Sequence, residues 1–235
     1  FDRDLMLWMR MDDLNSSGQP IDLSIYGNNG TFFGNALINS TGRFGNASWH
    51  DGAGDYIDIG VNNHNFNWTD GTNFTVSAWV YLRSTGPAIQ TAFSNGGRNA
   101  QGTTLLVVQT DNSAFFITRN LTASLGDNLE APSSLTLNAW NYVTLVRAGN
   151  NKTIYVGGVA KASNLEGGGN LGALYDLRIG TEATGVWPLN GSVDELVIFN
   201  RSLSLSEIKA LYNATANQYY NNFTSLSTGQ HIFRG

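Results

Sequence analysis

The sequence contains no cysteine, so neither disulfide bonds nor thiolate metal sites can contribute to its stability or chemistry. Charged residues make up only 13% of the chain, against roughly 25% in an average soluble protein. The formal net charge is -5 and no basic cluster occurs, which argues against nucleic acid or anionic lipid as a partner. No apolar run approaches the roughly 18 residues of a spanning helix, so we expect no direct membrane insertion of this segment.

Helical periodicity is also scarce, and alternation of apolar with polar residues dominates instead. The segment FTVSAWVYL places on one face Phe74, Val76, Ala78, Val80 and Leu82, and on the other Thr75, Ser77, Trp79 and Tyr81. TTLLVVQT and AFFIT predict a hairpin around residues 111–113, and WNYVTLVR, KTIYV and VAKAS predict a meander with turns at 149–151 and 157–158. With 235 residues, these patterns predict one main antiparallel β domain.

One helix is predicted near the end of the chain. Ser204 to Glu207 form a capping box, in which each terminal side chain can satisfy the backbone amide of the other. Leu203 and Ile208 occupy the positions of a hydrophobic staple, and Ile208 shares one helical face with Leu211 and Tyr212. A helix this short does not persist alone. We therefore expect it to dock on the β domain and hold the last strand.

The last strand carries two adjacent acids before an apolar run. Simple alternation would place Asp194 on the same face as Leu196 and Ile198, and Glu195 on the opposite face. Both acids would then lie where the strand enters the sandwich, which avoids the cost of an unpaired buried charge.

Acceptor triplets for N-linked glycan are unusually frequent. Twelve Asn-x-Ser/Thr triplets occur, against roughly five expected from composition. They begin at Asn15, Asn29, Asn39, Asn46, Asn67, Asn73, Asn120, Asn151, Asn190, Asn200, Asn213 and Asn222. Either the chain is an exported, glycosylated protein of the cell surface or extracellular space, or an Asn- and Thr-rich β protein has formed the triplets by chance. The lack of cysteine suits an archaeal or bacterial surface.

Several motifs together resemble the laminin G-like jelly rolls of the concanavalin A-like lectin/glucanase superfamily. They are, in order, LMLWMRMDD, DLSIYGNNGT, GRFGNASWHDGAGDYIDIG, FTVSAWVYL, WNYVTLVRAGNNKTIYVGG, LRIG and NGSVDELVIFNRSLSLSEIKALY. The resemblance implies an all-β fold, an antiparallel β-sandwich (jelly roll) with one short C-terminal helix, over residues 1–213. Residues 214–235 resemble a linker and the start of a following immunoglobulin-like domain.

Calcium is the cofactor that the acidic residues suggest, since it takes six to eight hard oxygen ligands. Related jelly rolls hold a structural cation where the first and last strands run side by side. The resemblance therefore implies Asp194 as a ligand, with Asp12 and Asp22 as further candidates. The alternative is that Asp194 and Glu195 accept bonds from backbone amides and Arg201, while Asp22 caps a turn.

The sequence offers little for catalysis. Retaining glycosidases need two carboxylates roughly 5 to 5.5 Å apart, and no pair with suitable strand spacing is evident outside the N-terminal end. No nucleophile motif accompanies the histidines, which we expect on the surface or rim of the domain: His50, His64 and His231. We therefore expect no enzyme and no catalytic residue.

Sugar binding needs an aromatic plane with polar groups beside it, in a largely preformed site. Trp68 and Trp187 lie in polar loops and are the platform candidates, the alternative being that both simply pack within their loops. The resemblance implies polar partners from a nearby loop that varies in the family, Asn95, Arg98 and Asn99. Tryptophans within strands are expected in the core, namely Trp8, Trp79 and Trp140.

These observations predict a non-catalytic extracellular recognition module of a multidomain surface glycoprotein. Its partners would be a glycan or a cell-surface protein, together with neighbouring domains of the same chain. The alternative is a structural spacer of a surface protein or filament without a ligand. A glycan hydrolase, or an appendage of one, is a third reading.

Overall fold

The computed structural model describes residues 2–59, 66, 68, 72–83, 89–96, 103–108, 111–119, 127–165 and 177–216. These residues form β-strands and one helix. The strands of the first half are β1 (Leu5–Met9), β2 (Thr31–Phe33), β3 (Leu37–Asn39), β4 (Ala47–Asp51), β5 (Tyr56–Asp58), β6 (Phe74–Leu82), β7 (Gln90–Asn95) and β8 (Thr103–Val108). The remaining elements are β9 (Ala114–Arg119), β10 (Asp127–Ala131), β11 (Trp140–Ala148), β12 (Asn151–Val156), β13 (Val159–Leu165), β14 (Leu177–Ile179), β15 (Asn190–Phe199) and α1 (Leu205–Ala216).

The strands form two sheets whose pairings are all antiparallel in the described residues. The eight-stranded sheet has the order β13-β12-β11-β6-β15-β4-β3, and β1 also pairs with β15. The seven-stranded sheet has the order β10-β9-β8-β7-β14-β5-β2. One apolar cluster contains buried side chains from both sheets, including Val76, Phe93, Phe116 and Ile198. The predicted all-β antiparallel sandwich with one short C-terminal helix is confirmed.

In strand β6 the alternating pattern correctly predicts which side chains face the core. All five apolar residues predicted on one face lie in the shared core: Phe74, Val76, Ala78, Val80 and Leu82. The intervening residues face the opposite side of the eight-stranded sheet. That side is called the outer face below.

The predicted turns are also confirmed. Strands β8 and β9 form the expected hairpin, and β11, β12 and β13 form the expected meander. Gly157 and Gly158 both adopt positive φ, 60° and 73°, between β12 and β13. Two successive positive φ values suit the tight turns of hairpins, and glycine adopts them without steric cost.

The helix begins as the sequence predicts. The Ser204 amide donates to Glu207 Oε2 at 2.8 Å, and the Glu207 amide donates back to Ser204 Oγ at 3.3 Å. The hydrogen bond from the Ser204 amide lowers the pKa of Glu207 to about 2, so its carboxylate stays ionised. Ile208 is fully buried with Leu203 against Val197 and Phe199 of β15, which confirms that the helix docks on the last strand. The helix runs to Ala216, beyond the expected domain boundary at residue 213, and residues 217–235 lie outside the described residues.

The expected orientation of Asp194 is wrong, because β15 contains a bulge. Glu195 has a positive φ of 49°, and the pairing with β6 shifts register between Asp194 and Val197. Asp194 pairs with Trp79, whose side chain lies on the outer face, whereas Leu196 belongs to the core. The extra residue resets the alternation, so that Asp194 shares a face with Val197 and not with Leu196.

His50 also departs from expectation, since it is fully buried and not on the rim. Its ring nitrogens lie 3.1 Å from Ser48 Oγ and 3.4 Å from the Asp55 carbonyl oxygen. A side chain at position 180 would collide with the imidazole, so Gly180 is what allows the close approach. Burial lowers the pKa of His50 to about 4. The 3.8 Å contact with the Asp55 carboxylate is therefore not an ion pair near neutral pH.

The docking of α1 can be tested with two substitutions in the same helix. Ile208→Ala removes a fully buried side chain and should lower the free energy of unfolding by about 2 to 4 kcal/mol. Leu205→Ala, at a position 48% exposed, should lower it by less than about 1 kcal/mol. Urea unfolding of both variants checks this, and equal losses would contradict the docked helix.

The buried imidazole should make stability depend on pH. Between its folded pKa of about 4 and its ordinary value of 6.5, the unfolded chain binds more protons than the folded one. His50 should therefore add up to about 3 kcal/mol to the free energy of unfolding as pH rises through this window. His50→Gln should abolish that contribution.

A difference measurement is needed because Asp194 acts in the opposite direction. Burial raises its pKa from 3.8 to about 7, so its contribution to stability falls as pH rises between those values. The wild type minus His50→Gln difference, from urea unfolding between pH 4 and 7, removes this background. A difference that stays flat over the whole range would show that His50 is not buried as a neutral ring.

Candidate functional site

The helix covers only part of the outer face of the eight-stranded sheet. Its apolar side packs on residues of β11 and β15, namely Val146, Val197 and Phe199. In the second half of the helix Tyr212 packs on Trp79, with ring centroids 5.9 Å apart. The guanidinium of Arg43 lies 4.6 Å from the same Trp79 ring. Trp79 is consequently buried, although it lies on the outer face.

Beyond Trp79 the outer face carries a line of half-buried aromatic rings. The strand register aligns Trp140 of β11 with Tyr81 of β6, Tyr81 with Ser192 of β15, Ser192 with Trp49 of β4, and Trp49 with Leu37 of β3. The three aromatic side chains are half-buried, and Leu37 is 45% exposed. We call Trp140, Tyr81, Ser192, Trp49 and Leu37 the aromatic row.

A second row runs beside the first and is polar. It contains Asn190 of β15 and Asp51 of β4, together with Arg83 just after β6 and Asn35 just before β3. The Arg83 amide donates to the Asn190 carbonyl at 3.0 Å, Asn190 is in register with Asp51, and Asn35 Nδ2 donates to Asp51 Oδ2 at 2.5 Å. The bond from Asn35 lowers the pKa of Asp51, which keeps its carboxylate ionised. We call these four residues the polar row.

The two rows together combine flat apolar surfaces with hydrogen-bonding groups. Tyr81 and Trp140 pack edge to face at 5.5 Å. The Arg83 guanidinium lies 5.7 Å from the ring centroids of both Trp49 and Tyr81, and its Nη2 donates to Ser192 Oγ at 2.8 Å. Most of these side chains project from paired strands, and Arg83 and Asn35 lie directly beside strand ends, so the sheet largely sets their spacing.

Two of the residues expected to bind ligand lie in the interior instead. Trp68 is 2% exposed and stacks on Phe74 with centroids 4.0 Å apart, so neither face of its ring is available to a sugar. Asn95 is buried, and its Nδ2 donates to the Phe66 carbonyl at 3.1 Å. The expected roles of Trp68 and Asn95 are corrected accordingly: both help to pack one end of the core.

Trp187 lies between β14 and β15 and packs against the seven-stranded sheet, which does not contain the aromatic row. It is half-buried against Phe115 and Ile117 of β9, and its carbonyl accepts the Thr91 amide at 2.9 Å. The remaining two candidates, Arg98 and Asn99, lie outside the described residues.

The aromatic row was missed because strand tryptophans were assigned to the core. Of these, only Trp79 is fully buried, Trp8 packs beside the helix cluster, and Trp140 belongs to the aromatic row. The alternation in β6 already placed Tyr81 away from the core. Pairing that strand with β11 and β4 would have been needed to align Tyr81 with Trp140 and Trp49.

Asp22, one of the three candidate metal ligands, is occupied by hydrogen bonds. Its carboxylate accepts the backbone amides of Trp8, Ser24 and Asn28 at 2.8 to 2.9 Å, and the Ser24 hydroxyl at 2.6 Å. These bonds hold a turn against β1, as the alternative reading of Asp22 predicted.

Asp12 and Asp194 hold the same loop, residues 43–46. Asp12 Oδ1 accepts the Asn46 amide at 2.8 Å, and Asp194 Oδ2 accepts the Phe44 amide at 3.0 Å. Their carboxylates and the loop carbonyls are the hard oxygen donors that calcium takes, so these two residues fit a calcium ion in donor type. Within the described residues, no group of three or more His, Asp or Glu side chains could hold a metal ion.

Arg10 already places a positive charge among these acids. Its guanidinium lies 3.4 Å from Asp12, 3.7 Å from Asp13 and 3.7 Å from Glu195. Arg201, which the alternative reading paired with Asp194 and Glu195, forms ion pairs with Asp2, Asp4 and Glu207.

One carboxylate pair was overlooked in the sequence. Asp51 and Asp55 lie at the two ends of the turn between β4 and β5, and the Asp51 amide donates to Asp55 Oδ2 at 3.1 Å. Burial raises the pKa of Asp55, while the bond from Asn35 lowers that of Asp51. Opposed shifts of this kind can mark an acid and base pair. Asp55 is buried beneath the turn, however, and presents no surface to a substrate.

The acceptor asparagines differ in exposure. Six are exposed: Asn15, Asn29, Asn73, Asn151, Asn200 and Asn213. Three are half-buried, Asn39, Asn46 and Asn190, and three lie outside the described residues, Asn67, Asn120 and Asn222. Asn190 belongs to the polar row, so a glycan attached there would cover the aromatic row.

No helix in the described part of the chain has the length and apolarity needed to cross a membrane.

No curated protein matches the sequence. Solved structures do match. The binding domain of Paraclostridial mosquitocidal protein 1 is 18% identical with a TM-score of 0.67, over 91% of this chain and 53% of that one. The receptor-binding domain of botulinum neurotoxin D is 16% identical with a TM-score of 0.67, over 90% and 52%.

A third structure matches over nearly its whole length. Domain 4 of an extracellular GH43 arabinanase from Geobacillus stearothermophilus, solved with arabinotriose, is 17% identical with a TM-score of 0.65, over 89% of this chain and 98% of that one. The chain spans only about half the length of the two toxin domains. At these identities the likeness shows the fold alone.

The sequence itself carries the assignment to a family. Residues 51–209, more than half of the chain, match a laminin G family. This stretch runs from the end of β4 into α1 and includes the buried strands of both sheets. The protein therefore belongs to the concanavalin A-like lectin/glucanases superfamily.

Proposed function

We propose that the protein is a non-catalytic recognition module that binds carbohydrate through the aromatic row. The observation that carries the proposal is the alignment of three half-buried rings, Trp140, Tyr81 and Trp49, across the outer face of the eight-stranded sheet. The superfamily name and the arabinotriose bound by the similar arabinanase domain support this class of ligand.

Ring stacking supplies the contact area. The apolar face of a sugar ring can lie flat on an aromatic side chain, and a rigid aromatic plane loses little conformational entropy on binding. Trp140 and Trp49 lie three strands apart, or about 14 Å at the usual strand spacing. A surface of this length suits a chain of several sugar units better than a single one.

The polar row supplies hydrogen bonds that would orient a bound sugar. Asp51 can accept bonds from sugar hydroxyls, while the amides of Asn35 and Asn190 can both donate and accept. These groups lie beside the rings and not beneath them, which is where the hydroxyls of a stacked sugar point. A few fixed polar groups next to an apolar surface are typical of ligand sites.

We place the module on an extracellular or cell-surface glycoprotein, where its partner would be a glycan or a glycosylated surface protein. The six exposed acceptor asparagines support glycosylation, and the lack of cysteine suits an archaeal or bacterial surface. The same asparagines favour one alternative, a structural spacer whose attached sugars coat an inert sandwich. Glycosylation of Asn190 distinguishes the spacer from the recognition module. A glycan on Asn190 is compatible with a spacer, but it would block access of a ligand to the aromatic row.

Calcium is the proposed cofactor, held by Asp12, Asp194 and carbonyls of the 43–46 loop. Bound calcium would neutralise the buried carboxylate of Asp194, which otherwise accepts only neutral amides such as those of Phe44 and Glu195, and would fix the loop against β15. The competing account is that Arg10 is the sole cation of this cluster.

Calcium should raise the thermal unfolding midpoint of the wild type after treatment with a chelator. A ligand that binds only the folded state at 100 times its Kd adds about 2.7 kcal/mol to stability. Asp194→Asn should remove the calcium effect, and Asp22→Asn should retain it. If the wild-type midpoint does not move, Arg10 is sufficient and the calcium proposal fails.

Substitution of the rings tests the glycan site itself. Trp49→Ala and Trp140→Ala should each weaken binding of the best ligand from a glycan array by about 1 kcal/mol or more, roughly fivefold in Kd. Phe33→Ala is the control, since Phe33 is 43% exposed and stacks on Tyr56 of the other sheet. Isothermal titration calorimetry gives the three affinities.

Three outcomes would contradict the proposal. Loss of binding in Phe33→Ala with none in Trp49→Ala would move the site to the seven-stranded sheet. An array without any retained glycan would favour the spacer. Release of products from a polysaccharide would show that the protein is an enzyme.

A further inference from the structure

Arg83 places a positive charge in the middle of the aromatic row. Its guanidinium lies between two rings of the row, 5.7 Å from the centroid of Trp49 and 5.7 Å from that of Tyr81. One nitrogen, Nη2, is fixed by its bond to Ser192 Oγ. The cation is therefore held in one position on the sheet face before any ligand arrives.

The charge of Arg83 is not neutralised within the part of the chain that the structure describes. Arg10, Arg178 and Arg201 each lie within 4 Å of at least one carboxylate, whereas Arg83 has no such partner there. Its Nη1 is buried and has no hydrogen-bond partner among the described residues. Partial burial lowers the pKa of Arg83, the effect expected of a cation that has lost water without gaining an anion.

We infer that the aromatic row selects acidic glycans, with Arg83 binding the carboxylate of a uronic or sialic acid unit. The inference rests on the proposed function and specifies its ligand class. A guanidinium forms charge-assisted hydrogen bonds with a carboxylate, and these are stronger than hydrogen bonds to neutral hydroxyls. A neutral sugar would leave the half-buried charge without compensation.

The charges around the row also set where the acidic unit lies. Asp51 is two strands from Arg83, beyond Asn190, and its carboxylate already accepts Asn35 Nδ2 and the Ala53 amide. Repulsion by Asp51 keeps a second carboxylate away from that end of the polar row. The acidic unit therefore lies over Ser192 and Tyr81, and neutral hydroxyls face Asp51.

General electrostatics do not explain such binding, because the chain has a net charge of -5. Long-range forces oppose the approach of a polyanion, so attraction must come from a local site. Binding that depends on Arg83 can thus be separated from non-specific attraction to basic protein.

The test compares acidic oligosaccharides with their methyl esters, which keep the same rings and remove the charge. The panel is an oligogalacturonate, an oligoglucuronate and a sialylated oligosaccharide, titrated calorimetrically into the full chain. At least one acid should bind about tenfold more tightly than its ester, and added salt should weaken only the acid. Arg83→Gln should reduce the affinity for that acid to that of the ester.

Two further variants make the result specific. Arg83→Lys keeps the charge without the planar fork and should retain only part of the preference. Lys161→Gln removes one exposed charge from β13 and should leave all affinities unchanged. Urea unfolding confirms that each variant is folded.

The outcomes separate this inference from the proposed function. If acids and esters bind equally and Trp49→Ala weakens both, the glycan site stands and the acidic preference is wrong. If the preference survives Arg83→Gln, another group carries it and the inference is overturned. If no member of the panel or of the glycan array binds, the proposed function fails as well.

Discussion

Strand β15 pairs with three other strands. The bulge at Glu195 divides it into two parts that pair with different neighbours. Residues 196–199 lie between β1 and β6, whereas residues 190–193 lie between β4 and β6. The extra residue shifts the alternation by one position, so that both Val193 and Leu196 reach the core. Without that shift one part of the strand would present its apolar side chains to solvent, and the sandwich could not close over a single interior.

The same division separates the part of the outer face that the helix covers from the part that carries the aromatic row. On one side of the bulge, Val197 and Phe199 form the seat of the helix, which is fixed by its capping box and by Ile208. On the other side, Ser192 and Asn190 are small and polar, and the aromatic rings come from the neighbouring strands. Tyr212 of the helix packs on Trp79, which lies two residues before Tyr81 in β6. The aromatic row thus lies beyond the helix contacts that are described, on the part of the outer face beside residues 190–193.

Sequence patterns predicted the fold well because alternation, turn residues and helix caps are local signals. Strand β6, the turn at Gly157 and the start of α1 at Ser204 all follow from residues close together in the chain. The errors arose where distant residues decide the outcome. Trp68 lies in a polar segment yet stacks on Phe74, His50 is enclosed through contact with Gly180, and the bulge at Glu195 appears only once β6 is paired. The aromatic row depends on the register of five strands, so no local pattern could have predicted it.

The central claim is that ligand contacts the outer face of the eight-stranded sheet. The most direct measurement is a titration of nitrogen-15-labelled protein with an acidic oligosaccharide, followed through the indole N–H resonances of its tryptophans. The account predicts that the signals of Trp49 and Trp140 shift with ligand concentration, while those of the buried Trp68 and Trp79 stay in place. A shift of the Trp187 signal with Trp49 and Trp140 unmoved would contradict it, because the ligand would then bind the other sheet.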